Sequence, residues 1–275
     1  MGLRRGTVPA AAPSAAESVD VCGPDWIVDP LRNLFRSVRL AETLPRLEVT
    51  VTGDGRWAAC QVNGAELWSI PVHRGRWLEA LTGQITATMT SLLQRLLFVH
   101  AGAVELGGRA CLVVGSSGSG KTSTVAALLA RGAAYLSDEV ALLDPENGTI
   151  SPFHIPMAIK PWTAKAAGTL PDGIDAARQG PVHFHLPALR GRSCPIGAVV
   201  MLERGRGGEL ARIPPAEALI RIARQPSSFQ YAARTEAAFL AWVAALRRAE
   251  CFEIRSDQAA RLAPTIADMM MRNVT

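Results

Sequence analysis

The sequence predicts an α/β protein in which a small β-rich unit precedes a larger domain with a mixed sheet. Residues 46–70 alternate apolar and polar side chains between turn signals, which is typical of short antiparallel strands. Residues 76–97 carry apolar side chains at helical spacing. Residues 110–131 combine an apolar strand, a glycine-rich loop and a short helix. We therefore expect a flexible tail over 1–18, a β unit with a bridging helix over 19–97, and a main domain over 98–275.

The predicted N-terminal part begins with a tail rich in Ala, Pro and Ser that lacks the apolar core of a signal peptide. A short apolar segment over 24–36 follows it. Three strands are then expected, because Gly53-Asp54-Gly55 and Asn63-Gly64 are hairpin-turn sequences. Trp57 and Trp68 are expected to pack in the core of this unit rather than against a substrate. The helix over 76–97 would connect the unit to the main domain.

The predicted main domain begins with two strands on either side of the turn Gly107-Gly108. After the glycine-rich loop come a helix over 121–131 and a strand over 133–144, and a turn at 145–148 leads to another strand. The C-terminal elements are, in order, a strand at 196–204, a flexible hairpin loop at 204–210, helices at 215–225 and 235–249, a strand at 251–256 and a closing helix at 258–273 that is broken near Pro264.

Composition restricts the class of protein. A chain of 275 residues with 48% hydrophobic residues has enough apolar surface for a buried core. The net charge is +5, but the arginines are scattered and not interleaved with aromatic residues, so nucleic-acid binding is not expected. Nowhere do eighteen apolar residues follow one another, so no membrane span is expected. The five cysteines are far apart and form no CxxC pair, which favours reduced thiols and a cytoplasmic protein.

The segment GSSGSGKT, Gly115 to Thr122, matches the phosphate-loop pattern G-x-x-x-x-G-K-[ST]. Its glycines let backbone amides turn towards phosphate oxygens, and the helix that follows adds the positive end of its dipole. Lys121 is expected to reach the β and γ phosphates of a nucleotide, and the Thr122 hydroxyl to ligate Mg²⁺. The residues expected to bind the nucleotide are Gly115, Ser116, Ser117, Gly118, Ser119, Gly120, Lys121, Thr122 and Ser123.

Two adjacent acids, Asp138 and Glu139, lie on the predicted strand over 133–144. An acid on a strand beside a phosphate loop normally holds Mg²⁺, directly or through water. Adjacent side chains on a strand point to opposite faces, so both reach one metal only if the strand bends or ends there. If one acid holds the metal, the other could accept a proton from an attacking hydroxyl or could simply be solvated.

Residues 98–143 resemble the core of the HPr kinase/phosphorylase family. The resemblance rests on His100, the turn Gly107-Gly108, the phosphate loop, Arg131-Gly132 and the acid pair, in that order. The short distance between loop and acids is shared with the related ATP-dependent phosphoenolpyruvate carboxykinases. Two features depart from the family: the acids are Asp-Glu rather than two aspartates, and PFHIPMAIKPWT stands in place of a glycine-rich signature. That pattern is similar to HPr-kinase-like enzymes found beside ribosomally made peptides, including lasso-peptide kinases.

The resemblance implies a P-loop kinase core of the HPr kinase and phosphoenolpyruvate carboxykinase type. It implies an enzyme that uses ATP and Mg²⁺ to phosphorylate a serine or threonine hydroxyl of a peptide or protein, such as the precursor of a peptide natural product. Asp138 would be the general base and Glu139 the metal ligand, or the reverse, and His100 would lie near the phosphates. Lys160 could neutralise charge on the γ-phosphate during transfer.

The resemblance also allows a homo-oligomer, because relatives often assemble. Two alternatives stay open: a kinase of a small molecule or free amino acid, and a nucleotide-gated binding protein without kinase activity.

Overall fold

The computed structural model describes residues 19–36, 44–73, 77–93, 95–159, 183–185, 187–224, 236–256 and 259–272. The tail expected over 1–18 and the side chain of Lys160 lie outside these residues. The described chain is a mixed α/β structure with a small N-terminal sheet and a larger sheet of nine strands. None of its described helices is both long enough and apolar enough to span a membrane.

The N-terminal unit consists of β1 (Val19–Cys22), α1 (Asp25–Arg36), β2 (Leu47–Val51), β3 (Trp57–Val62), β4 (Ala65–Pro71) and α2 (Trp77–Leu92). The sheet has the order β1-β2-β3-β4, with β1 parallel to β2 and the remaining pairs antiparallel. The three predicted strands and the predicted helix are confirmed, and the apolar segment over 24–36 is a helix. Ile27, Leu31, Leu81 and Ile85 from the two helices are fully buried against the sheet in one core.

The two tryptophans of this sheet have different environments. Trp68 packs against the core, and its indole nitrogen donates a hydrogen bond to Thr88 Oγ1 on α2 at 2.8 Å. The prediction that Trp57 is a core residue was wrong, because its side chain is 51% exposed. The alternation along β3 explains this result: Ala58, Cys60 and Val62 point to the core, which places Trp57 on the other face.

The main domain contains β5 (Leu97–Val99), β6 (Ala101–Leu106), β7 (Arg109–Gly115), α3 (Lys121–Leu129), β8 (Ala134–Ser137), β9 (Ala141–Asp144), β10 (Thr149–Ser151), β11 (Met157–Ile159), β12 (His183–His185), β13 (Cys194–Glu203), β14 (Leu210–Arg212), α4 (Pro215–Ala223), α5 (Glu236–Leu246), β15 (Glu250–Arg255), a 3₁₀ turn (Ala259–Leu262) and α6 (Ala263–Arg272). The sheet order is β5-β9-β10-β13-β7-β6-β8, with β15 paired to β13 and β14 paired to β15.

The central strand β7 lies between two helical layers. Leu112 and Val114 belong to a core that includes Leu219 of α4 and Trp242 of α5. Cys111 and Val113 belong to the opposite core, which includes residues of α3 and α6. Alternate side chains of one strand thus serve two cores, as expected for a sheet covered on both faces.

Two predicted elements differ from the structure. The strand expected over 133–144 is broken into β8, which pairs with β6, and β9, which pairs with β5 and β10. The loop 204–209 does not close a hairpin, because β7 and β15 occupy the two sides of the C-terminal half of β13. The next strand, β14, therefore pairs with β15 instead.

Candidate active site

The ends of four strands meet at one edge of the main sheet. Gly115 ends β7 and lies opposite Leu202, near the end of the parallel strand β13. On the other side, Val114 lies opposite Ala101 at the start of β6, and Ala103 of β6 lies opposite Ser137 at the end of β8. This register brings together the segments that contain His100, the phosphate loop, the acid pair and Arg204, although they span more than a hundred residues of sequence.

The phosphate loop runs from Ser116 to Gly120, and Lys121, Thr122 and Ser123 form the first turn of α3. Gly118 and Gly120 have φ angles of +74° and +99°, a backbone conformation that residues with a side chain rarely adopt. A Cβ atom at Gly115 would lie 2.8 Å from the backbone oxygen of Leu202, so the close approach of β13 requires glycine there. The glycines predicted from the motif therefore each have a steric reason in this loop.

Lys121 is buried and bonded to its own loop. Its ammonium group donates hydrogen bonds to the backbone oxygens of Gly115 at 2.8 Å and Ser116 at 3.2 Å. Burial lowers the pKa of Lys121, while the negative charges of Glu139 and Asp138 act in the opposite direction. The ammonium group is thus bonded to the start of the loop, and its charge interacts with both acids.

Thr122 contacts the first acid directly. Its hydroxyl donates a hydrogen bond to Asp138 Oδ2 at 3.0 Å, which joins the start of α3 to the end of β8. Asp138 and Glu139 are not on a regular strand, since β8 ends at Ser137 and β9 begins at Ala141. The bend between the two strands removes the strict alternation that would otherwise point the two acids to opposite faces.

Asp138 is a buried carboxyl group with an incomplete set of partners. The residue is 3% exposed, and in the described part of the chain its Oδ1 atom has no hydrogen-bond partner. Burial, followed by the charge of Glu139, raises the pKa of Asp138 to about 7. Carboxylate and hydroxyl oxygens are the ligands that Mg²⁺ prefers, and Mg²⁺ commonly takes only one or two protein ligands beside phosphates. Asp138 and Thr122 therefore fit a magnesium site.

Glu139, the second acid of the pair, is exposed and contacts His100. The Glu139 side chain is 57% exposed, and its Oε2 atom is 3.4 Å from His100 Nδ1. The same ring nitrogen is 3.0 Å from the backbone oxygen of Glu139. Burial and the charge of Lys121 lower the pKa of His100, so the ring is neutral near neutral pH and Nδ1 donates to that carbonyl. His100 thereby fixes the position of the Glu139 backbone.

Arg204 is part of this site, although the sequence analysis did not select it. Its Nε and Nη2 atoms donate hydrogen bonds to the backbone oxygen of Gly118 at 3.2 and 3.0 Å. The signal that could have identified it is topological: it directly follows β13, and a strand parallel to β7 ends beside the phosphate loop. Local sequence pattern does not predict which strands pair when they lie eighty residues apart, as β7 and β13 do.

A cavity of about 500 Å³ lies next to the acid pair. Helix α2 of the N-terminal unit forms one wall, and residues of the main domain on either side of the acid pair form the other. The lining residues are Glu79, Thr82, Gly83, Thr86, Ala87 and Thr90 of α2, together with Phe98, His100, Tyr135, Ser137, Asp138, Glu139, Val140, Ile155, Pro156 and Ala158. The N-terminal unit thus contributes to the surroundings of the predicted catalytic residues.

No family model matches the sequence, and no curated protein matches it. Among solved structures, the chain is similar to the Hpr(Ser) kinase/phosphatase from Coxiella burnetii, with a TM-score of 0.33 and 11% sequence identity, over 64% of this chain and 97% of that chain. A similarity of this size carries no argument about the fold or the function of this chain.

Proposed function

We propose that the chain is a phosphotransferase that moves the γ-phosphoryl group of a nucleoside triphosphate to a hydroxyl acceptor in the presence of Mg²⁺. The observation that carries the proposal is the hydrogen bond from Thr122 to Asp138. It places the hydroxyl of the phosphate-loop motif against a buried carboxyl group at the end of a neighbouring strand. A phosphate loop with a strand-end acid beside it is the arrangement that nucleotide-dependent phosphoryl transfer uses.

The proposed donor site is the loop and the first turn of α3. Backbone amides of Ser116 to Gly120 and the N-terminal end of α3 would bind phosphate oxygens. Lys121 would exchange its bonds to Gly115 and Ser116 for bonds to the β and γ phosphates. Negatively charged phosphate oxygens form stronger hydrogen bonds with an ammonium group than neutral carbonyl oxygens do. ATP is the donor that the sequence resemblance leads us to expect.

The proposed metal site consists of Thr122 and Asp138. When bound there, Mg²⁺ would neutralise negative charge that develops on the phosphates. Asp138 is buried and its Oδ2 atom accepts a hydrogen bond from the Thr122 hydroxyl of the loop, whereas the Glu139 carboxylate is exposed. We therefore favour the second of the two assignments that the sequence allowed, with Asp138 on the metal side.

Glu139 is then the proposed general base. Its carboxylate is exposed, lines the cavity and has its backbone held by His100. The acceptor hydroxyl would transfer its proton to Glu139 while its oxygen forms a bond to the γ phosphorus. The bond from that phosphorus to the bridging oxygen would break, and the nucleoside diphosphate would leave. The predicted contribution of Lys160 to charge neutralisation stays a prediction.

The test is a pair of measurements on the full chain. We expect calorimetry to detect ATP binding that strengthens on addition of Mg²⁺, with GTP titrated in parallel to compare the bases. We expect γ-labelled ATP to transfer label to at least one member of a panel of serine- and threonine-containing peptides, proteins and small alcohols, detected by mass analysis.

Absence of Mg²⁺-dependent nucleotide binding would overturn the proposal. Binding without transfer to any member of the panel would instead support the alternative of a nucleotide-gated binding protein.

A further inference from the structure

We infer that the cavity between α2 and the acid pair is the acceptor site, and that it takes an uncharged, largely apolar group bearing the hydroxyl. This inference rests on the proposed phosphotransferase function. It assigns the N-terminal unit a role in substrate choice, since α2 supplies one wall. It also predicts that neutral acceptors are preferred over anionic ones such as carboxylated or phosphorylated metabolites.

The position of the cavity supports the inference. Asp138, Glu139 and His100 all line it, so a group that fills the cavity meets the proposed base directly. The cavity volume of about 500 Å³ is within the range of small-molecule and side-chain sites, which is roughly 300–1,000 Å³. An acceptor in this cavity would approach the site from the side of α2.

The chemistry of the walls favours an apolar occupant. Phe98, Tyr135, Val140, Ile155 and Pro156 provide aromatic and aliphatic surface from the main domain. Ala87 and Gly83 provide small apolar surface on α2. Contact with such surfaces gains free energy in proportion to the apolar area removed from water.

Threonine side chains add hydrogen-bonding capacity. Within the described residues, the buried hydroxyl groups of Thr82 and Thr86 have no hydrogen-bond partner, and both residues line the cavity. The Thr90 hydroxyl differs, since it donates to the backbone oxygen of Thr86 at 2.8 Å. Unpaired buried hydroxyls are costly. Because both oxygens are buried in the cavity wall, the threonine side chains would have to rotate before they pair with a polar atom of the ligand. A backbone amide or a second hydroxyl of the acceptor has suitable chemistry.

The carboxyl groups of the cavity disfavour anions. Glu79 lies on the α2 wall, and Glu139 lies on the opposite wall. An anionic acceptor would bring its charge close to these groups in surroundings of low polarity, where like charges repel more strongly than in water. A neutral acceptor avoids that repulsion.

Gly83 offers a direct way to block the cavity. A Cβ atom at this position meets no atom within 4 Å, so a larger side chain enters the open space without a clash. The test compares wild type, Gly83→Leu and the control Ala80→Leu, which adds the same side chain to an exposed residue of α2 that does not line the cavity. The readouts are Mg-ATP affinity by calorimetry and kcat/KM for phosphate transfer.

Four acceptor probes test whether the acceptor is neutral or anionic, and whether it is a peptide or a small molecule. Two are blocked pentapeptides with a central serine, flanked by leucines in one and by aspartates in the other. The other two are benzyl alcohol and glycerol 3-phosphate. We expect kcat/KM for the neutral member of at least one pair to exceed that for its anionic counterpart at least tenfold. A tenfold change is the size expected when one favourable contact is lost. The pair that responds distinguishes a peptide from a small molecule.

We further expect Gly83→Leu to lower kcat/KM for the neutral acceptor at least tenfold, with Mg-ATP affinity and Ala80→Leu unchanged. Three results would each overturn the inference while leaving nucleotide binding intact. The first is that anionic probes are used as well as or better than neutral ones. The others are that a chain that binds Mg-ATP uses none of the four probes, or that Gly83→Leu transfers phosphate normally. Loss of Mg-ATP binding by wild type would instead refute the proposed function.

Discussion

The Thr122 hydroxyl donates a hydrogen bond to Asp138 Oδ2 at 3.0 Å across the junction between α3 and β8. The bond connects the last residue of the phosphate-loop motif to the first of two acids that follow sixteen residues later. It determines which acid is next to the phosphate loop, and it leaves Glu139 exposed beside His100. The roles of the two acids are therefore separable by substitution.

Asp138→Asn and Glu139→Gln should have different effects. Asp138→Asn removes the charge on the metal side, so we expect Mg²⁺-dependent nucleotide affinity to fall by about 10–100-fold. Glu139→Gln removes the proposed base, so we expect transfer to fall by about 10²–10⁴-fold with affinity nearly unchanged. Calorimetry and a labelled-phosphate assay on both variants provide the comparison. The opposite pattern would restore Asp138 as the base and Glu139 as the metal ligand.

The stability of the nucleotide-free protein should depend on the ionisation of Asp138. Burial raises the pKa of Asp138 from 3.8 to about 7, so its stabilising contribution is fully present below about pH 4 and is lost as pH rises from there through about 7. Asp138→Asn stays neutral and can still accept from Thr122. We expect it to be more stable than wild type at about pH 8, by up to about 4 kcal/mol, and similar at about pH 4. Denaturant unfolding across this pH range measures the difference.

Asp144 provides the control for that experiment. Hydrogen bonds from Asn147 and Glu146 lower its pKa, against the opposing effect of partial burial. Asp144→Asn should therefore be less stable than wild type above about pH 4 rather than more stable. Equal behaviour of the two variants at high pH would show that the raised pKa of Asp138 does not govern stability.

Arg204 should hold the phosphate loop in the conformation that binds nucleotide. Arg204→Ala removes two hydrogen bonds to the Gly118 oxygen, so the loop gains freedom that binding must then remove. We expect nucleotide affinity to fall by about 3–10-fold, measured by calorimetry. Arg206→Ala, a neighbouring exposed arginine, is the charge-matched control. Affinities that change equally in both variants would assign the effect to net charge instead.

Gly115→Ala should disrupt the loop through sterics alone. The new Cβ would lie 2.8 Å from the Leu202 backbone oxygen and 3.1 Å from Ser119 Cβ, so β13 or the loop must move. We expect a loss of stability of about 1–3 kcal/mol and loss of measurable nucleotide binding. Gly53→Ala is the matched control, because no atom lies within 4 Å of a Cβ there. Thermal unfolding and calorimetry of the two variants test the prediction, which fails if Gly115→Ala binds as well as wild type.

Three strands of the N-terminal sheet, the bridging helix and the phosphate-loop motif were predictable from sequence because each depends on local pattern, whereas β1 was not predicted. Alternation with turn residues marked three strands, helical spacing marked α2, and a contiguous motif marked the loop. The exposed position of Trp57 was not predicted, since β propensity does not say which face of a strand meets the core.

The sequence identified the acid pair as two adjacent residues, but it did not predict their geometry. Local pattern indicated one strand over 133–144, whereas β8 and β9 separate at Asp138 and Glu139 because they pair with different strands of the sheet. The position of Arg204 beside Gly118 has the same origin, in the parallel pairing of β13 with β7.

The sequence by itself therefore determined the chemistry of the loop and the types of residue around it, because those are written in contiguous positions. Only the tertiary structure decided which acid meets Thr122, which arginine meets the loop, and that α2 forms a wall of the adjacent cavity. These relationships depend on the pairing and packing of elements far apart in the chain, and no local periodicity encodes that pairing.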